Sequence, residues 1–400
     1  MATSSTPSAA IRTTGSARPL NFQSRSESPN DLEGKEPPMF TPSRLTLARK
    51  RRGMTLVELG NQVGVSSQSI SNYEHDRQQP SPHTLEKIAE VLSFPLSFFS
   101  ASEIDEIDPA SVSFRARSKL SAYIRDAALS ESRLAVEFSH WMDDLFNLPA
   151  PHIPTPGRKM SPELNVDYLR SAWDMGESDS IRNMIHLVEA HGVRVFSLAP
   201  EYKEVDAFSF WRDGRPYIFL NTLKSAARSR FDVAHELGHL MMHCDDEAGV
   251  RTRAAEKEAD EFASTFLMPR RSIAARIPDS PTTDQIIRSR RHWNVSALAL
   301  TYRLQSLGRI TEWQYRQSVI ELGRLGFRMG EPGDAPRETS MLMQKVFSAL
   351  WVDGIRPQQI ADQLNTSITE LNSWVFGLMA SPTPEQEIHA SNRPTQLRLV

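Results

Sequence analysis

The chain contains very little cysteine, since Cys244 is the only one among its 400 residues. One cysteine excludes a disulfide framework and a zinc finger built on several thiolates, and it suits a reducing compartment. No run of eighteen apolar residues is present, so the sequence predicts no membrane-spanning helix. Charge of one sign is not in excess either, because 46 basic residues face 49 acidic ones. This balance excludes a histone-like polycation but allows a local basic region. We expect a cytoplasmic protein.

The chain is longer than one compact domain usually is, and composition divides it further. Its first residues are rich in Ser, Thr and Pro and poor in large apolar side chains, which predicts disorder. Four prolines between residues 148 and 157 prevent a helix and predict a stiff linker. The predicted plan is a tail over residues 1–40, a helical unit over 41–100, a helical connector with the proline-rich linker over 101–157, a middle domain over 158–275 and a helical region over 276–400.

Residues 43–100 carry the apolar spacing and the capping signals of four short helices. Thr55 followed by Glu58 is a capping box that predicts the start of the second helix. Gly64 permits a tight turn, and Ser66 predicts the start of a third helix over 67–73. Two short helices joined by a glycine turn, the second with a polar outer face, indicate a helix-turn-helix.

The sequence from Thr55 to Glu74, followed by Pro80, resembles the phage-repressor (Cro/C1, or XRE) family. The resemblance implies that double-stranded operator DNA is a partner. The side chains implied to face base edges in the major groove are Ser67, Gln68 and Asn72. Those implied to lie near phosphates are Arg49, Arg51, Arg52 and Arg77. One departure is the absence of a family-typical glycine near His75, and a helix-turn-helix used only for protein contacts is the alternative.

The sharpest motif is His235-Glu236-Leu237-Gly238-His239, which lies in a predicted helix after a hairpin signal at Asp213-Gly214. Residues four apart on a helix differ by about 40° in direction, so both imidazoles can bind one Zn²⁺ ion. Glu236 can then deprotonate a water molecule and pass the proton to a leaving amine. Zinc supports this chemistry because it lowers the pKa of a bound water to about 7.

A hydrolytic zinc site needs a third protein ligand and an open fourth position. The helix predicted to begin near Glu256 offers that residue as the third ligand, with Asp260 on the same face to orient a ligand histidine. Glu258 is the competing third ligand, because one sequence does not prove the register. Asp245 is a weaker candidate still. His243 is interpreted as a second-layer or surface residue, Cys244 as a buried thiol, and Tyr217 as a core residue or an oxyanion-stabilising one.

Three segments together resemble the ImmA/IrrE family of metallopeptidases: residues 230–240, the preceding 218–221, and 256–269. The resemblance implies a gluzincin-like zinc endopeptidase, a fold class to which an N-terminal repressor-type helix-turn-helix is often joined. Some family members cut a helix-turn-helix repressor and thereby switch on genes, which implies a protein substrate of that kind. The predicted fold is mainly α, with a helix-turn-helix bundle, then an α+β zincin-like domain containing a small antiparallel sheet, then a helical C-terminal region.

The sequence leaves two functions open. The first is a DNA-binding transcription regulator with a zinc-dependent endopeptidase domain that cleaves a repressor-type protein. The second is a non-enzymatic helix-turn-helix regulator or antitoxin-like repressor in which the metal site is structural or sensory. Residues 124–145 are interpreted as a connecting or dimerising helix, so a homodimer is one expected form. Residues 359–371 again have a helix-turn-helix pattern, although packing on the middle domain is the favoured interpretation.

Overall fold

The computed structural model describes residues 40–108, 112–116, 121–155, 160–202, 204–243, 252–328, 330, 332–333 and 335–379. Almost all of the tail predicted over residues 1–40 lies outside these residues, as do Cys244 and Asp245. None of the described helices is long and apolar enough to cross a membrane.

Four short helices follow residue 40, and their ends lie where the capping signals predict. They are α1 (Pro42–Arg51), α2 (Leu56–Val63), α3 (Ser67–Glu74) and α4 (Pro82–Leu92). Thr55 and Glu58 form the reciprocal capping box, and the Ser66 hydroxyl accepts from the Ser69 amide. Gly64 ends α2 with φ 82°, a left-handed conformation that costs glycine little. The pair α2 and α3 therefore forms the predicted helix-turn-helix.

The connector consists of a short strand, β1 (Ser113–Ala116), and a long helix, α5 (Ala122–Leu145). The middle part then contains α6 (Pro162–Ala172), α7 (Met184–Ala190), β2 (Arg194–Ser197), β3 (Val205–Arg212), β4 (Arg215–Leu220), α8 (Ala226–Met242), α9 (Arg253–Leu267) and α10 (Arg270–Arg276).

The strands form one sheet in the order β1-β3-β4-β2. The β3–β4 hairpin turns at Asp213 and Gly214, both with positive φ, as the sequence predicts. The small antiparallel sheet that the sequence predicts is present in the β1–β3 and β3–β4 pairs, but the sheet is mixed, because β2 pairs with β4 in parallel. The reason lies in the connection between the strands. After β2 the chain crosses to the far side of the β4 position and forms β3 there. It then turns back along β4, which therefore runs in the same direction as β2.

The two faces of the sheet enter different cores. Phe196, Phe208 and Phe219 face a core that they share with α5 and the helices of the N-terminal unit. Val195, Ala207 and Ile218 face α8 and α9 on the other side. Because side chains alternate along a strand, Ser209 on β3 points to the same side as Ala207, toward α8.

The C-terminal region is helical, as predicted, and its last helices pack into the core that Phe196, Phe208 and Phe219 face. It contains α11 (Thr283–Ser289), α12 (Ala297–Ser306), α13 (Glu312–Arg324), α14 (Met341–Val352), α15 (Pro357–Gln363) and α16 (Ile368–Val375). Leu342, Val346 and Trp374 are buried together with residues of the N-terminal helices and the aromatic sheet face. The helix-turn-helix pattern of residues 359–371 corresponds to α15 and α16, but α16 turns Glu370 and Leu371 inward. This burial favours the packing interpretation over nucleic-acid contact.

Candidate metal centre and DNA-reading face

Two imidazoles meet on α8, the helix that packs against the sheet face formed by Val195, Ala207 and Ile218. Ser225 caps this helix, and Val233 and Leu237 bury its apolar side. His235 and His239 lie one turn apart, and their Nε2 atoms are 3.1 Å from each other. Both rings are almost fully buried, so their pairing is a feature of the interior rather than of the surface.

The neighbouring helix α9 brings a carboxylate to the same point. Glu256 places Oε2 3.5 Å from Nε2 of His235 and Oε1 3.4 Å from Nε2 of His239. One ligand atom from each of these three residues lies within 4.8 Å of the others. Glu258 points elsewhere, because its Oε2 lies 3.0 Å from Nε2 of His243.

The spacing of these donor atoms fits a zinc ion. Bonds of about 2.0–2.1 Å at tetrahedral angles place two ligand atoms about 3.3 Å apart. The 3.1 Å between the two Nε2 atoms and the 3.5 and 3.4 Å from these atoms to the Glu256 oxygens are close to that value. Two imidazoles and one carboxylate are also a ligand set that catalytic zinc sites use, with one position left for water or substrate.

Each imidazole has a second contact at its Nδ1 atom. Asp260 Oδ1 lies 2.9 Å from Nδ1 of His235, and Nδ1 of His243 lies 2.9 Å from Nδ1 of His239. A carboxylate at Nδ1 holds the proton there, so that Nε2 would be the nitrogen that binds a metal ion. His243 thus lies between His239 and Glu258. In the sequence, the spacing of four residues between His239 and His243 indicates that the two side chains are neighbours.

Glu236 lies on the sheet side of α8 and is completely buried. Its Oε2 accepts a hydrogen bond of 2.7 Å from the Ser209 hydroxyl on β3. Sequence reasoning missed Ser209, whose only local signal is a small polar residue between Phe208 and Phe210 of β3. Tyr217 is in the core rather than the cleft: its ring stacks on Phe210, and burial raises the pKa of its phenol.

Gly238 sets the distance between the two helices of the site. A Cβ atom at this position would lie 3.0 Å from Cδ1 of the Phe262 ring on α9. Such contacts are tighter than packed interiors normally contain. The motif therefore has glycine where α9 must approach closely enough to bring Glu256 to the imidazoles.

The polar face of α3 presents the predicted base-reading side chains. Ser67 and Gln68 are exposed, and Asn72 is half-buried. The Gln68 amide donates to Oδ1 of Asn72 at 3.0 Å, which orients both side chains on the outer face. Arg77 is exposed just beyond the end of α3. Ser67, Gln68 and Asn72 thus belong to α3, and Arg77 belongs to the segment that follows it.

Comparison with known families agrees with both halves of this description. Residues 45–99 match the family model described as helix-turn-helix, and residues 188–305 match the model described as IrrE N-terminal-like domain. The chain fuses these two domain types. Both resemblances stated from the sequence are thereby confirmed. A comparison with curated proteins finds no match to the chain. The IrrE N-terminal-like domain contains the whole metal centre, and its match runs past residue 275 into α12.

The helix-turn-helix domain is bound to the rest of the chain through arginines that the sequence assigned to DNA. Arg51 is buried, with Nε 2.8 Å from Glu370 of α16 and Nη2 3.6 Å from Glu131 of α5. Its Nη1 also donates to the Tyr202 hydroxyl at 2.6 Å. The prediction that Arg51 lies near phosphates is wrong, because α16 and α5 cover the end of α1. Burial lowers the pKa of Arg51, but Glu131 and Glu370 raise it by more.

Two other arginines are also engaged inside the protein. Arg49 pairs with Glu74 at 2.6 Å and donates to the carbonyl of Met54. Arg52 pairs with Glu370 at 2.5 Å and donates to the carbonyl of Leu92. Their guanidinium groups hold the helix-turn-helix domain together and anchor it to α16. Arg49 and Arg52 are half-buried, so a phosphate contact by either one stays a prediction, and only Arg77 of the four predicted arginines is exposed.

Proposed function

We propose that this protein is a DNA-binding transcription regulator whose IrrE N-terminal-like domain is a zinc-dependent endopeptidase. The observation that carries the proposal is the joint position of two imidazole Nε2 atoms, the Glu256 carboxylate and the buried Glu236 carboxylate on the next residue of α8. A site that only stabilises structure is usually closed by four protein ligands and has no use for a buried base. The substrate we propose is a repressor-type protein that controls gene expression.

The ligands would be Nε2 of His235, Nε2 of His239 and the carboxylate of Glu256. A bound zinc ion supplies Lewis acidity, which polarises the scissile carbonyl and makes water a better nucleophile. Asp260 acts through His235, because its carboxylate fixes the proton on Nδ1. These residues account for metal binding and orientation, and the proton transfers fall to a different side chain.

Glu236 is the proposed general base and then general acid. As water attacks the carbonyl carbon, the Glu236 carboxylate takes the proton that the water loses. When the C–N bond breaks, the same proton passes to the leaving nitrogen, so Glu236 ends the cycle ionised. Ser209 donates to one carboxylate oxygen, which limits the orientations the side chain adopts during both transfers.

DNA binding is proposed to involve the outer face of α3. Ser67, Gln68 and Asn72 would contact base edges, and Arg77 would contact a phosphate. Repressors of this kind bind two half-sites as dimers, so we propose a homodimer on its operator. Attachment to DNA would raise the local concentration of the peptidase domain near a DNA-bound repressor substrate.

The test combines metal analysis of the purified chain with cleavage of repressors encoded by neighbouring genes. Wild-type protein should contain about one zinc ion per chain and cut one of these repressors. Glu236→Gln should keep the zinc and lose activity by a factor of about 10² to 10⁴, the usual contribution of a general acid–base. Glu261→Gln is the matched control, because Glu261 is an exposed carboxylate on α9 beside the site. Absence of zinc, or cleavage that Glu236→Gln leaves intact, would contradict the proposal.

A further inference from the structure

Strand β1 lies along the outer edge of β3, the strand that contacts the proposed general base. The two strands are antiparallel, with Ser113 opposite Ser209 and Phe114 opposite Phe208. Ser209 is the residue whose hydroxyl donates to Glu236. The backbone of residues 113–116 is therefore paired with the sheet directly beside the metal-binding helix.

The outer edge of β3 is the place where an extended peptide would add to this sheet. The inner edge of β3 is occupied by β4, and β2 borders the sheet on the side away from β3. A peptide that joins a sheet edge gains backbone hydrogen bonds that depend little on its sequence. A peptide bound along β3 would lie next to Glu236, so this edge suits a peptidase, and β1 now occupies it.

The segment leading to β1 is attached at both ends. At the helix-turn-helix end, Thr41 N donates to Phe99 O at 2.7 Å, and Arg44 Nε donates to Ser102 O at 2.7 Å. At the sheet end, Arg212 on β3 donates to Glu106 O at 2.7 Å and pairs with Asp105 at 2.9 Å. Residues 99–106 thus contact both the helix-turn-helix domain and β3.

Strand β1 is also weakly held compared with the strands of the hairpin. It has four residues, and its register with β3 shifts between Arg115 and Ala116. A bulge of this kind interrupts the ladder and leaves fewer hydrogen bonds. A competing peptide therefore has to replace only a small number of backbone bonds.

We propose that the outer edge of β3 is the peptide-binding edge of the metal centre, and that β1 is a built-in competitor that must leave it before a protein substrate binds. The bound partner is an extended polypeptide segment recognised mainly through its backbone. The inference rests on the proposed function only in treating that segment as a substrate. Peptide binding itself requires neither hydrolysis nor Glu236.

Two proline variants test the pairing, and one serves as the control for the other. Along an antiparallel pair, only alternate residues bond to a given neighbour, so one of the N–H groups of Phe114 and Arg115 faces β3. Proline lacks this N–H group and is tolerated on an edge strand where the group faces solvent. Of Phe114→Pro and Arg115→Pro, one should therefore release β1 and the other should leave it paired. Arg212→Ala provides a third variant, which removes the anchor without changing β1.

The probe is a fluorescein-labelled peptide with the sequence of residues 110–118, added to zinc-loaded full-length protein in the Glu236→Gln background. Fluorescence anisotropy should show binding at least about tenfold tighter for one proline variant than for the parent, because release makes more of the edge available. Arg212→Ala should shift binding in the same direction. Circular dichroism checks that each variant is folded. Binding by folded variants that is no tighter than by the parent would overturn the inference. If a released variant with Glu236 intact binds the peptide but cleaves no protein, the proposed function fails while the peptide-binding edge stands.

Discussion

At the scale of single residues, the metal centre depends on which nitrogen of His235 each carboxylate contacts. Asp260 meets Nδ1 and Glu256 lies near Nε2, although both belong to one face of α9. Imidazole can donate from one nitrogen while it binds a metal through the other, so the two contacts are complementary. A histidine held at Nδ1 loses its freedom to flip or to change tautomer, which favours metal binding before any ion arrives.

Asp260→Asn tests this contact, because it keeps an oxygen near Nδ1 but removes the negative charge. We expect zinc affinity to fall by about 10- to 100-fold, the usual effect of losing an outer-layer partner. Competition with a chromophoric chelator measures the change. Glu261→Gln removes the same charge from the adjacent exposed position and should leave affinity nearly unchanged. Equal losses in the two variants would mean that general electrostatics, rather than the Asp260 contact, sets the affinity.

At the scale of elements, the site requires α8 and α9 to pack closely. The contact point is Gly238 against Phe262, whose ring is fully buried and stacked on Phe266 at 5.7 Å. A ring enclosed in this way has little room to move aside. The separation of the helices therefore fixes how near Glu256 of α9 comes to the imidazoles of α8.

Gly238→Ala has two opposing effects on stability. Alanine favours a helix over glycine by about 1 kcal/mol, whereas overpacking a filled core costs about 1–3 kcal/mol. We expect the steric cost to prevail, with a lower denaturation midpoint in urea and weaker zinc binding. Gly330→Ala is the control, since no atom lies within 4 Å of a Cβ at that position. A variant with unchanged midpoint and affinity would show that the helices tolerate the added methyl group.

At the scale of the whole molecule, distant parts of the chain meet in one buried charged cluster. Arg51 of α1 contacts Glu131 of α5, Tyr202 and Glu370 of α16, although 319 residues separate Arg51 from Glu370. Burial raises the pKa of Glu131 to about 7 in spite of the neighbouring Arg51.

A second buried carboxyl, Glu189 of α7, accepts hydrogen bonds from the hydroxyl of Ser340 and the amide of Leu342.

The pKa of Glu189 predicts a pH-dependent stability. Burial raises this pKa from 4.5 to about 7. Between those values the folded state keeps a proton that the unfolded state has lost, so this group's contribution to stability is full below pH 4.5 and is lost as the pH rises through about 7. Glu189→Gln lacks the titration, so the difference in Tm, variant minus wild type, should increase between pH 5 and pH 8. Thermal unfolding by circular dichroism measures it. A difference that stays flat across this pH range would contradict the prediction.

Features with a local physical cause were predictable from the sequence, and those with a remote cause were not. The capping box at Thr55, the turn at Asp213-Gly214 and the HExxH pair each depend on residues within a few positions. The sequence did not predict the partners of Arg51. A run of basic residues has the same local pattern whether its arginines contact DNA or a buried carboxylate. Ser209 and the parallel β2–β4 pairing depend on strand order, which periodicity does not encode.

The shared cluster has a practical consequence for anyone who divides this protein into pieces. A fragment covering residues 45–99 would include Arg51 and Arg52 but not Glu370, and it would expose apolar side chains of α1 that α5 now covers. Conversely, removing residues 41–100 would take away the arginines that pair with Glu131 and Glu370 and would uncover the side of α5 on which α1 packs. A point substitution tests the two proposed activities separately without disturbing this cluster. Gln68→Ala alters the exposed face of α3, and Gln358→Ala is its counterpart on α15, where the glutamine makes the same hydrogen bond to a residue four positions later.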